Sequence, residues 1–175
     1  MRWLTFGVLA VIAVSLQTTV APAMVWYGLS PDWVLVLVVF YCLHARSDHA
    51  VPAAWLAGAL ADLMTLERFG LVSLSYGLTA LLVCGMRDLV FTRHPLTHFT
   101  VTLLAALGVQ VLWMVYRVLI GFPVGSPLGL VGSSIYTALW APLLHAVFLK
   151  APRLLGIRPR QYSPARLSGA RGPGV

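Results

Sequence analysis

Acidic residues are almost missing from this chain. Five Asp and Glu stand among 175 residues, and charged residues of both signs together make up only 10%. A soluble domain carries about 25% charged residues, so this set is too sparse to cover a water-facing surface. Catalysis by a carboxylate pair needs two acids held together, and five scattered ones argue against it. Cysteine is scarce as well. Cys42 and Cys84 fall near the same ends of two apolar segments, on the side expected to be reducing, and are expected to pack rather than form a disulfide. There is no Gly-rich phosphate loop and no run of spaced aspartates that could hold a metal on a lipid headgroup. His94 and His98 are four residues apart, but Pro95 follows the first and no Glu stands between them, so the metalloprotease pattern is missing. Ser134 and His145 are the residue types of an intramembrane serine protease. Eleven residues on one helix separate them by about 16 Å, far beyond hydrogen-bond reach. No catalytic, cofactor-binding or metal-binding residue is expected, and the chain is not expected to be an enzyme.

Long charge-free apolar runs fill most of the sequence. Hydrophobic residues make up 59%, and the mean hydropathy is +0.87. No Asp, Glu, Lys or Arg occurs in Trp3–Pro31, Gly70–Met86, Pro95–Tyr116 or Val118–Leu149. About 20 helical residues cross a hydrocarbon core of about 30 Å. Barrel strands would alternate over about 10 residues, so the runs predict an all-α integral membrane protein. Six transmembrane helices are expected, at roughly Trp3–Pro22, Asp32–Leu43, Val51–Leu66, Gly70–Met86, Leu96–Ile120 and Leu128–Leu149. The second and third are short for the full thickness and can borrow Trp, Tyr and His, including His44 and His49, as interfacial ends. Gly and Pro mark the joints, at Pro31, Pro52, Gly70, Pro95, Gly121, Pro123, Gly125 and Pro127. Residues 1–150 form one membrane domain. Residues 151–175, with Arg153, Arg158, Arg160, Arg166 and Arg171 among Pro, Gly and Ser, are expected to form a basic, disordered cytoplasmic tail.

Charge orients the bundle. With the N-terminus inside, Arg2, Arg46, Arg87, Arg93, Lys150 and the tail arginines are cytoplasmic, leaving Arg68 and Arg117 outside. This asymmetry predicts both termini inside. The net charge of +7 follows from that placement, at helix ends and in one tail beside anionic headgroups, and not from a nucleic-acid surface. Arg2, an apolar run and Ala21-Pro22-Ala23 resemble a signal peptide with an A-x-A site. The run is too long for a usual apolar region of that kind, and a retained first helix is expected.

Polar residues inside the apolar runs are the functional candidates. Asp62 is the foremost, because a carboxylate in a membrane helix must find a partner or a wet cavity. Gly58, four residues earlier on the same face, suggests close helix approach together with Ala61 and Gly77. Arg117 and Arg68 are the cations on that side. Asp62 is therefore a structural ion pair or helix end, or else part of an outward pocket with Ser73, Ser75 and Tyr76. Gln17, and less strongly Gln110, can bond across helices. Pro31 and Asp32 suit a helix start, since Pro is tolerated in the first turn and an acid favours the N-terminal dipole.

Leu16-Gln17-Thr18-Thr19, Leu29-Ser30-Pro31-Asp32, Ala57-Gly58-Ala59-Leu60-Ala61-Asp62-Leu63 and Phe69-Gly70-Leu71, in that order and spacing, resemble the MreD family of rod shape-determining proteins. The resemblance covers essentially the full length and is best from Leu16 to about Tyr76. One departure is Thr65-Leu66-Glu67-Arg68-Phe69, where the family usually has small Ser and Gly. The resemblance implies a non-enzymatic subunit of the bacterial elongation machinery in the inner membrane. It implies MreC, a single-span coiled-coil protein, as partner, and through it MreB, RodZ, RodA and penicillin-binding protein 2. Gln17, Pro31, Asp32, Gly58, Asp62 and Gly70 are the positions carried over. The mechanism expected is scaffolding, with small-residue faces packing a partner helix. The competing expectation is a substrate-binding subunit of an energy-coupling-factor-type transporter, a fold the family is thought to share. Asp62, Gln17 and Arg117 would then contact the ligand.

Overall fold

A computed structural model describes residues 3–25, 28–64, 70–86, 95–123 and 126–150. Arg2, Arg68, Arg87, Arg93, Gly125, the Thr65–Phe69 segment and the tail from Ala151 lie outside the described residues. The described residues form six α-helices: α1 (Trp3–Thr19), α2 (Trp33–His44), α3 (Ser47–Met64), α4 (Leu71–Met86), α5 (Pro95–Ile120) and α6 (Pro127–Lys150), with a 3-10 turn at Ala21–Met24 after α1. α5 and α6 are long and apolar enough to cross a membrane; α1, α2 and α4 are apolar but shorter.

Around an apolar centre, the outer helices turn large apolar side chains outward and small or polar ones inward. Leu4, Val8, Leu74, Leu78, Leu104, Val111, Leu139 and Leu143 are exposed, while Ser75, Thr79, Thr102, Ser134, Thr137 and His145 are buried. Lipid tails are as apolar as leucine, so large apolar side chains can face outward at no loss, and small or polar ones let the helices approach closely. α3 shows the rule most clearly. It buries Ala50, Ala53, Ala54, Ala57, Gly58 and Ala61 and turns Trp55, Leu56 and Leu63 outward. This arrangement, with the long apolar helices, is consistent with a membrane protein.

α2 is the centre. Every residue from Val34 to Leu43 is buried, and α2 packs against α1, α3, α4, α5 and α6. A helix apolar on all sides belongs inside a bundle. Its 12 residues span about 18 Å, so it is a core element that ends short of a bilayer's full thickness. Both of its ends carry polar groups: Asp32 caps the start, and His44 is the last residue.

Helix α3 begins four residues before the predicted Val51 and runs through Pro52. Proline removes only the bond to the carbonyl of Asp48, and Asp48 is exposed in the first turn, where solvent satisfies it. The Arg46–Asp48 ion pair at 3.1 Å is likewise exposed, and such pairs contribute little stability.

Candidate functional site

Two polar joints organise the end of the bundle where α1, α3 and α5 finish and α2, α4 and α6 begin. The first is Asp62. Its carboxylate accepts from the backbone N–H of Val72 at 3.0 Å and of Ser73 at 2.9 Å, and the residue is 2% exposed. First-turn N–H groups have no intrahelical acceptor. Asp62 supplies one from a neighbouring helix and sets its negative charge on the positive end of the α4 dipole. Ser73 Oγ donates to the Trp55 carbonyl at 3.0 Å, completing the α3–α4 seam. Gly70 opens α4 at φ +102°, a conformation that a Cβ would strain.

Gly58 lies in the same seam. A Cβ there would stand 2.4 Å from Ser73 Cα, 2.9 Å from Ser73 N and 3.0 Å from the Val72 oxygen. The helix packed on Gly58 is therefore α4 of this chain, not a partner. Gly77 is covered in the same way, by the Trp55 indole. Among the described residues, the side chains expected to line an outward pocket with Asp62 are engaged elsewhere. Ser73 and Ser75 donate to the backbone of Trp55 and Leu71, and Tyr76 reaches Asp32 instead.

The second joint is the start of α2. Gln17, near the end of α1, brackets it: Nε2 donates to the Pro31 carbonyl at 3.0 Å, and Oε1 accepts the Trp33 N–H at 2.8 Å. Asp32 caps α2, accepting the Leu35 N–H at 2.9 Å. Tyr76 of α4 donates its hydroxyl to the other Asp32 oxygen at 2.7 Å. Asp32 N–H donates to Thr137 of α6 at 3.0 Å, and Thr137 Oγ1 donates to the Ser133 carbonyl at 2.9 Å. Four helices thus meet on three consecutive residues, Pro31, Asp32 and Trp33. A cavity of about 130 Å³ opens beside them, lined by Gln17, Ser30, Asp32, Gln110 and Thr137 with Ala106 and Val109 of α5. Replacing Gln17 with Leu removes both bracketing bonds at little change of size. It should destabilise the fold by about 1–3 kcal/mol, read as a lower melting temperature in lipid nanodiscs. An unchanged melt would show that the bracket contributes nothing.

Arg117 sits in the last turn of α5, with its guanidinium 5.8 Å from the Trp113 ring centre. The ligand contacts expected of a transport subunit, Asp62, Gln17 and Arg117, do not share the cavity: of the three, only Gln17 lines it. Gln110, noted in the sequence, lines it too. Tyr76 and Thr137 were not legible as partners of Asp32, because buried hydroxyls in membrane helices are common and carry no positional signal.

A third polar group lies at the opposite end. His44 of α2, His98 of α5 and His145 of α6 gather there, with ring centres 4.2 Å (His98–His145), 5.8 Å (His44–His98) and 6.0 Å (His44–His145) apart. Phe40 stacks on His44 at 4.5 Å. His44 and His145 each engage the carbonyl four residues earlier through Nδ1, at 3.0 and 2.8 Å. The His98 and His145 rings lie face to face with 29° between their planes, so their ring-plane lone pairs do not converge. Among the described residues no group of three His, Cys, Asp or Glu is placed to hold a metal ion. The sequence did hold one sign of this cluster: each histidine lies within two turns of the same end of the bundle in an alternating topology. His145 is engaged with Ala141, and Ser134 Oγ donates to the Leu130 carbonyl, so no serine–histidine pair forms. Cys42 and Cys84 are buried and in no disulfide, with Cys84 Sγ 3.8 Å from the Cys42 carbonyl.

Compared with known proteins, residues 1–153 match the family model described as rod shape-determining protein MreD. No curated protein and no solved structure matches.

Proposed function

The chain belongs to the MreD family of rod shape-determining proteins, and from that membership we propose that it is the membrane scaffold subunit of a bacterial cell-elongation complex. The family is a membrane protein family concerned with cell shape and is not known as an enzyme family. The match over residues 1–153 is the observation that carries the reading. In it, six helices cross the inner membrane with both termini in the cytoplasm, and the basic tail meets anionic headgroups. The partner is MreC, held by its single membrane span. Through MreC the chain works with MreB, RodZ, RodA and penicillin-binding protein 2.

The internal use of Gly58 and Gly77 moves the partner's place elsewhere. An apolar groove of about 260 Å³ lies between α1 and α3, lined by Trp3, Phe6, Gly7, Leu56, Leu60 and Leu63. A Cβ on Gly7 would meet no atom within 4 Å, so no close approach among the described residues requires glycine here. A single helix from the partner fits such a face through van der Waals packing against a small residue. Gly7→Leu should fill the groove without disturbing the bundle, since leucine favours helix over glycine by about 0.8 kcal/mol. The variant is expected to melt like the wild type or slightly higher, while recovery of MreC after mild cross-linking falls at least tenfold. Full recovery would remove this groove as the docking face. Failure of the wild type to recover MreC would remove the scaffold reading itself.

A further inference from the structure

Among the described residues, the cavity beside Asp32 has one formal charge in its wall and no counter-charge. Among the described residues the salt bridge is Arg46–Asp48, at the exposed start of α3, and no cation lies against Asp32. Its Oδ1 accepts from Leu35 N–H and its Oδ2 from the Tyr76 hydroxyl. Both oxygens are acceptors, the role of an ionised carboxylate, which has room for about two more bonds. A carboxylate within a membrane bundle pairs with another group or faces a cavity. The positive end of α2 supplies about half a charge. The remaining acceptor capacity of the carboxylate faces the cavity.

The space defines what can enter. An apolar cavity of about 150 Å³ takes benzene, so the 130 Å³ here suits a flat group of about four to six non-hydrogen atoms. Acceptors surround it: the Asp32 carboxylate and the side-chain oxygens of Gln17 and Gln110, with Ala106 and Val109 as apolar wall. Gln17 is committed to α2, whereas the Gln110 amide has no partner among the described residues. A guanidinium is planar, presents five N–H donors in a fixed fork and pairs with a carboxylate through two bonds. It is also more weakly hydrated than an ammonium, so bringing it into a bundle costs less.

We propose that this cavity binds one guanidinium group, its fork on the Asp32 carboxylate and a remaining N–H group on the Gln110 side-chain oxygen. The group is either an arginine side chain of a membrane partner or a free guanidinium compound. The recognition chemistry is the same for both. This goes beyond the scaffold reading and does not rest on it.

The test uses the full chain in lipid nanodiscs. Thermal unfolding is followed while methylguanidinium chloride is titrated against sodium chloride of equal ionic strength. The wild type should show a saturable rise in melting temperature. In Asp32→Asn that rise should vanish or need at least tenfold more ligand. Asparagine caps a helix about as well as aspartate and keeps an oxygen for Leu35, so the variant removes charge and spares the fold. Gln110→Leu leaves the Asp32 bonds intact, should weaken binding several-fold, and decides the matter if Asp32→Asn does not assemble. No saturable rise in the wild type, or the same rise in both variants, overturns the proposal. A photoreactive residue at Gln110 then separates the sources. Cross-linking to an arginine-containing peptide in cells assigns the group to a partner. A small guanidinium compound released on denaturation from the wild type, and not from Asp32→Asn, assigns it to a free ligand.

Discussion

Alanine in place of Asp62 is expected to detach the first turn of α4 from α3 and to be among the most damaging truncations of this protein. It would remove the shared acceptor of the Val72 and Ser73 N–H groups. Water could replace that acceptor in a soluble protein. Within a bilayer nothing does, and each stranded group costs several kcal/mol at the upper limit and about 1–3 by mutational measure. A loss of about 2–6 kcal/mol is expected, seen as loss of the folded fraction in an unfolding titration from nanodiscs or mild detergent. Asp62→Asn, which keeps one acceptor, should fall between alanine and wild type. If alanine melts like the wild type, the cap is ornamental and Asp62 has to be explained otherwise.

The second large effect is at Gly58. Gly58→Ala adds one methyl group, and on helix propensity alone it should stabilise α3 by about 1 kcal/mol. The new Cβ would instead stand 2.4 Å from Ser73 Cα and 2.9 Å from Ser73 N. Both are backbone atoms, so no side-chain rotation relieves the overlap and α4 has to move. Moving α4 lengthens the Ser73 N–H bond to Asp62, so the two residues fail together. Destabilisation of about 3 kcal/mol or more is expected, against no loss for Gly7→Ala, where the added Cβ meets open space. The double variant with Asp62→Ala should lose less than the sum of the singles, because both break one joint. Strict additivity, or a neutral Gly58→Ala, would refute the shared seam.

These two expectations bear on how phenotypes are interpreted. Loss of cell shape on substituting Gly58 or Asp62 would report an unfolded bundle, whereas loss on substituting Gly7 is the outcome expected of the docking proposed above. The polar residues near one end of the helices mostly hold the bundle to itself. Gln17, Tyr76 and Thr137 converge on the start of α2, while Asp62 holds the start of α4. Gln110 and the open side of Asp32 are the part of that polar layer left to face a cavity.

Much of this was legible in the residues. Charge-free runs separated by Pro and Gly located the helices to within a few residues, apart from the start of α3. There Pro52 read as a joint, because sequence alone does not show that the lost bond falls in an exposed first turn. Pro31-Asp32 marked the start of α2, which read as a short span; its burial on every side came only with the packing. Asp62 and Gly58 were recognisable as unusual, since a carboxylate and a glycine on one face of a membrane helix each need a neighbour. Their neighbour could not be read. A hydrogen bond from Asp62 to an N–H depends on where a backbone lies, and every residue but proline offers an N–H, so no residue type announces it.

The sequence by itself determined that this chain is helical, apolar on its outside and poor in catalytic groups, because composition and hydropathy depend on residue types alone. It also determined the family, through short motifs in a set order. Tertiary structure alone decided which polar residues became structural and which were left beside a cavity. That choice rests on distances of about 3 Å between helices far apart in the chain: Gln17 to Trp33, Tyr76 to Asp32, Asp62 to Ser73. Such distances are set by how small residues let helices approach, a property of pairs of surfaces that neither segment carries alone.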